Sequence, residues 1–186
     1  EVYATTGPRI TVRFFGGWDF GGKDIFAPDL AVIGYDKGVP MGSDLTTAPN
    51  GKSPTFLISA VKDPLGANLD RMQIIKGWLD DAGVTHEKIY EVALSDDRKP
   101  DQPIGNTVDL QAASYTNSIG ATHFNRIWTD PDFEPSLSAF YYVRVLEIPT
   151  PRWTAYDEVK FKVTMPDIVP KIVQDRAYTS AIWYTP

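Results

Sequence analysis

Apolar and polar positions alternate along Arg9-Ile10-Thr11-Val12-Arg13-Phe14-Phe15, with Ile10, Val12 and Phe14 on one side and Arg9, Thr11 and Arg13 on the other. A period of two with one polar face predicts a half-buried strand. Before it, Glu1 to Thr6 is β-prone and ends at the turn signal Gly7-Pro8. Thr55 to Val61 reads as a strand closed by Asp63-Pro64. Leu69 to Leu79 and Val84 to Leu94 flank Asp80-Asp81-Ala82-Gly83, and two β-prone runs around a short Asp/Gly loop predict a hairpin. A helix competes for residues 69 to 79, because Leu69, Met72, Gln73 and Lys76 also fall at helical spacing. Ile74-Ile75 and Gly77-Trp78 favour the strand.

Elsewhere the pattern is more broken. Gly16-Gly17 and Gly21-Gly22 interrupt regularity and suggest a flexible hairpin or bulge. Asp29 to Lys37 predicts a short helical turn with Gly38 as its stop. Pro49-Asn50-Gly51 and the charged, proline-bearing stretch Ser95 to Gly105 predict loops, the latter exposed. Thr122 to Trp128 predicts a further strand. Ala139 to Ile148 is apolar and aromatic on both faces apart from Arg144 and Glu147, which predicts a strand covered on both sides and ended by Pro149 and Pro151. Val159 to Met165 alternates again, with Lys160, Lys162 and Thr164 as the polar set, and Tyr178 to Tyr184 is β-prone. Roughly seven or eight short strands with Gly/Pro punctuation predict a mainly β fold: an antiparallel β-sandwich-like module with a few short helices. No repeat or low-complexity linker divides residues 1 to 186, so one β-rich domain is expected.

Charge narrows the partners. Lys and Arg number 18 against 24 Asp and Glu, a net of −6, which disfavours nucleic acid because phosphate binding needs a basic surface. Cysteine is absent, so disulfides and thiolate metal sites are excluded. No apolar run approaches the roughly 20 residues that span a bilayer. The chain opens at Glu1 and its first Met is Met41, so the expectation is a piece of a longer protein whose targeting signal lies elsewhere.

Candidate chemistry is sparse. His86 and His123 are the only histidines and lie in neither an HxH nor an HExxH context. They are expected on a strand's polar face and at a strand start, a meeting in space being the less favoured alternative. Asp130, Asp132 and Glu134 alternate between prolines, and a rigid acidic turn outweighs a calcium site because the loop glycine and distal Glu of an EF-hand are missing. No G-x-S-x-G elbow or phosphate loop occurs. Trp78, Trp128, Trp153, Tyr141 and Tyr142 offer rings for a stacking platform, although Tyr141 and Tyr142 are expected in the core. Trp18, beside the glycine-rich stretch, is a candidate exposed ring. Arg152-Trp153 is a candidate cation–π pair or surface contact.

Several phrases are more particular than strand text. Glu1-Val2-Tyr3-Ala4-Thr5-Thr6-Gly7-Pro8-Arg9-Ile10 resembles the segment that closes PHP-type metal-dependent hydrolase domains. Asn68 to Trp78 (NLDRMQIIKGW), Ala139 to Trp153 (AFYYVRVLEIPTPRW) and Ala177 to Tyr184 (AYTSAIWY) resemble the C-terminal third of DUF3604 proteins, a bacterial family of uncharacterised function. The resemblance implies a PHP-like barrel upstream, with residues 1 to 9 as the join and Tyr3, Thr5, Thr6 and Arg9 as interface candidates. It implies a parent that binds divalent metal through residues outside this chain, while the chain itself carries no catalytic or metal residue and no cofactor. Exported members of the family make a periplasmic location one implication. The expected function is a non-catalytic accessory module that braces the barrel or edges its active site, and that self-associates when isolated. The alternative is an independent glycan- or protein-binding β-sandwich module. A self-sufficient hydrolase, which would need its own metal, is the third.

Overall fold

The computed structural model describes all 186 residues. In chain order its elements are β1 (Tyr3–Thr5), β2 (Thr11–Gly17), a 3-10 turn (Asp24–Phe26), α1 (Leu30–Lys37), β3 (Gly38–Pro40), β4 (Thr55–Val61), β5 (Leu69–Leu79), β6 (Thr85–Leu94), β7 (His123–Thr129), β8 (Ala139–Glu147), β9 (Thr150–Pro151), α2 (Trp153–Phe161), β10 (Ile172–Val173), β11 (Arg176–Thr179) and β12 (Ile182–Tyr184). The larger sheet has the order β1-β11-β8-β5-β6, with β12 also beside β8. The smaller sheet runs β3-β2-β4-β7, and β9 and β10 form a separate pair. Every strand pairing is antiparallel.

Alternation explains how the sheets meet. Val12 and Phe14 of β2, Phe56 and Ile58 of β4, Met72 and Ile74 of β5, and Tyr141 and Val143 of β8 are fully buried and pack into one core between the sheets. Removing such side chains from water is the main favourable term, roughly 1.5–3 kcal/mol each. The second face of the smaller sheet is also covered. Phe15 and Leu57 point there and pack with Phe20 under Leu30 and Ile33 of α1, so β4 is buried on both faces. Asp29 caps α1 by accepting the Ala31 N–H at 2.9 Å. The result is a helix layer over a two-sheet sandwich, and the outer face of the larger sheet has no layer above it.

Most predicted elements appear where the patterns place them, and the strand reading of residues 69 to 79 prevails over the helix. Three expectations are corrected. Val159 to Met165 is not a strand: α2 runs through Phe161, and Lys162 ends it in the left-handed conformation with φ of 54°. Gly16-Gly17 does not break β2 but closes it, pairing with β3 and β4. A Cβ on Gly17 would lie 2.7 Å from the Lys37 carbonyl oxygen, so the glycine permits close strand contact rather than flexibility. Third, β8 is not covered on both sides. Ala139, Tyr141, Val143 and Val145 are buried, whereas Phe140, Tyr142, Arg144 and Leu146 are only half-buried on the open face.

Candidate functional site

A concavity lies at the turn end of the larger sheet, and the β5–β6 hairpin builds one wall. Asp80 organises the turn: its Oδ1 accepts the N–H groups of Ala82 at 2.9 Å and Val84 at 2.8 Å, while Gly83 takes a φ of +77°. Its Oδ2 lies 2.8 Å from His86 Nε2. That hydrogen bond first, and the Val84 N–H second, hold the Asp80 carboxyl below the usual carboxylate range. The His86 ring stacks on Trp78 at 5.1 Å and 16°.

The turn fixes the register, and the register assembles a row across the open face. Glu87 sits opposite Gly77, Gly77 opposite Phe140, and Phe140 opposite Trp183. The Phe140 ring lies on the Gly77 backbone, where an added Cβ would fall 2.3 Å from its Cζ. Trp183 is held from both sides. β8 pairs with it on one, and on the other its N–H donates to the Ser43 carbonyl at 3.0 Å while its own carbonyl accepts the Leu45 N–H at 2.7 Å. The groove has a volume of about 520 Å³, and its lining includes Trp78, His86, Glu87, Phe140 and Trp183 with the hydroxyls of Thr85, Ser138 and Thr185.

A smaller cavity of about 200 Å³ lies against Trp78 on the inner side, lined by Lys76, Lys88, Asp132 and Phe133. Its two lysines are each paired with a carboxylate. Lys88 donates to Asp132 Oδ2 at 2.5 Å and Tyr90 donates to the same oxygen at 2.7 Å, which together hold the Asp132 carboxyl below its usual range. Burial chiefly, then the bond to Asp132, pushes the Tyr90 hydroxyl's pKa well up. Asp130 is buried and bonded to Lys76 and Tyr141. The acidic turn is therefore a turn, as expected, with strand lysines as its counter-charges.

At the opposite end, Asp70 accepts hydrogen bonds from Arg71, Arg98 and Gln174. Arg98 thus turns inward from a loop that composition marks as exposed. Glu147 is buried nearby, and its Oε1 has no partner. Nowhere do three His, Asp or Glu side chains converge as a metal ion would need. His86 and His123 stand in different sheets.

The residues singled out from sequence do not gather at the groove. Tyr3 and Thr5 form β1 against β11. Thr6 donates to Asp175 Oδ1 at 2.7 Å, and the backbone N–H of Arg9 donates to Asp63 Oδ2 at 2.8 Å. Trp18 is half-buried rather than exposed, with Nε1 donating to Thr46 at 2.9 Å and its ring edge-on to Phe133 and Tyr184. Arg152 and Trp153 do form a cation–π pair, 5.8 Å from guanidinium to ring centroid, and Trp153 is exposed. Sequence reasoning missed Gly77, Glu87, Phe140 and Trp183. The signal that was available is the alternation in β8, which puts Phe140 and Tyr142 on one face and Tyr141 on the other.

No curated protein and no solved structure matches the chain. The family described as "Protein of unknown function (DUF3604)" matches it from residue 1 to residue 186. On that full-length match, the chain belongs to the DUF3604 family.

Proposed function

We propose that this chain is a non-catalytic accessory module of a longer DUF3604 protein and works by contact, packing against a PHP-like barrel of the same parent. One observation carries the reading. Helix α2 buries only Thr154 and Ala155, while Trp153, Tyr156, Val159 and Phe161 stand exposed on it and Ile168 follows at 90% exposure. A surface helix ordinarily turns its apolar stripe inward. An outward aromatic group of this size marks a contact surface. The resemblance of Glu1 to Ile10 to a domain-closing segment supports the parent chain as the partner.

The test is reconstitution. The remainder of the parent, expressed separately, is captured by the 186-residue chain and not by a Trp153→Asp, Phe161→Asp variant. Failure of the wild-type chain to capture it overturns the proposed contact. Phosphoesterase and sulfatase screens of the purified chain stay flat, and turnover accompanied by stoichiometric metal would overturn the non-catalytic reading.

A further inference from the structure

We propose that the groove over Gly77 is a binding site for a neutral saccharide. It lies at the Ala139 end of β8, whereas α2 follows the Glu147 end, nine residues or about 27 Å away. The inference therefore stands apart from the packing role of α2.

Trp183 is 50% exposed, its centroid is 5.1 Å from that of Phe140, and Phe140 is nearly parallel to Tyr142 at 15° and 6.5 Å. Three aromatic side chains thus share a sheet face with no layer above it, Trp183 across from Phe140 and Tyr142 two residues further along β8. They are held firmly: Phe140 rests on the Gly77 backbone, and the β12 backbone around Trp183 is bonded on both edges. A platform fixed before binding loses little freedom when a ligand arrives.

The rim supplies the second half of the chemistry. Glu87 contributes two acceptor oxygens, and Thr85, Ser138 and Thr185 contribute hydroxyls that both donate and accept. No Lys or Arg lines the groove, its one imidazole, His86, is engaged by Asp80, and the Glu87 carboxylate is present, so an anion is disfavoured. A purely aromatic ligand would gain nothing from the hydroxyl and carboxylate rim, whose exposed groups would stay bonded to water. A sugar ring uses both parts: its C–H face lies on the electron-rich faces of the rings, and its hydroxyls meet the rim. The volume of about 520 Å³ suits a small ligand, and the uncovered sheet face lets a chain of sugar units continue past Tyr142.

Glu87 and the rings would also attract a quaternary ammonium, although that ion cannot use the hydroxyls. The experiment therefore titrates the purified chain with short cello-, xylo- and chito-oligosaccharides and, separately, with tetramethylammonium, following tryptophan fluorescence and the indole N–H signals by NMR. At least one oligosaccharide is expected to give a saturable change centred on Trp183. With affinity read by titration calorimetry, which does not depend on the indole that is removed, Trp183→Ala then weakens binding by about tenfold or more, Trp183→Phe restores most of it, and Trp153→Ala on α2 leaves it unchanged. The exposure of Trp183 makes these variants fold as the wild type does, which their thermal transitions verify. The proposal is overturned if no oligosaccharide gives saturable binding. It is equally overturned if binding survives Trp183→Ala, or if tetramethylammonium binds more tightly than every sugar.

Discussion

Lys76 Nζ lies 2.6 Å from Asp130 Oδ2, with both side chains almost wholly removed from solvent. The same carboxylate oxygen accepts the Tyr141 hydroxyl at 2.7 Å, Lys76 also donates to the Asp132 carbonyl at 2.8 Å, and Asp130 Oδ1 accepts the Asp132 N–H at 2.9 Å. Two strands of the larger sheet, β5 and β8, are thereby tied to the turn that leaves β7 of the smaller one.

Breaking this network from one side is expected to cost more than removing the pair. Asp130→Ala leaves Lys76 buried without a counter-charge and Tyr141 without an acceptor, a loss of roughly 3–5 kcal/mol and a fall in Tm on the order of 10 °C. The double variant Lys76→Met, Asp130→Leu removes both charges and is expected to lose less than Asp130→Ala alone. Urea unfolding of the three proteins checks this, and a double variant less stable than the single one would contradict it.

Gly77 and Phe140 are coupled by contact. With Phe140 Cζ 2.3 Å from where a Cβ would lie, Gly77→Ala must push the ring off the strand. The expected cost is roughly 1–3 kcal/mol. Phe140→Ala opens that space, so the double variant should be more stable than the sum of the single losses predicts, by roughly 0.5–3 kcal/mol. Strict additivity in the thermodynamic cycle would show that the ring accommodates the methyl without strain.

How far the sequence reached is plain from particular segments. β2, β4 and the β5–β6 hairpin are legible because each must bury one face or two against a partner sheet, and that demand writes itself into the residues. Val159 to Met165 carries the same alternation without such a demand: Val159, Phe161 and Val163 are all exposed, so the pattern serves no buried face. The true end of α2 is also unmarked, because Lys162 rather than glycine takes the left-handed position. The groove was out of reach for another reason. Phe140 and Trp183 meet only through the β8–β12 register, and Lys76 and Asp130 stand 54 positions apart. Local periodicity reports which face a side chain occupies, not which distant strand shares that face.

Glu147 sets the pH dependence expected between the ordinary glutamate range, about 4.3, and about 8. The residue is 2% exposed, its Oε1 is unpartnered, and burial first, then the charges of Asp175 and Asp63, push its carboxyl up to about 8 against the opposing pull of Lys62. An unfolded glutamate titrates near about 4.3. Between those values the folded chain holds a proton that the unfolded chain has released. Stability from this group is therefore fully present below about pH 4.3 and falls progressively until the folded carboxyl ionises near about pH 8, a loss on the order of a few kcal/mol. Asp63 acts in the opposite sense and in a different window. The Arg9 N–H foremost, and then the Leu65 N–H, lower it to about 2, so its contribution is lost only in acid. Glu147→Gln keeps the shape and removes the charge. Chemical denaturation from about pH 5 to about pH 9 is expected to show wild-type stability declining while the variant stays nearly level, with the variant the more stable of the two at about pH 9. Parallel curves across that range would mean that the Glu147 carboxyl ionises freely in the folded protein.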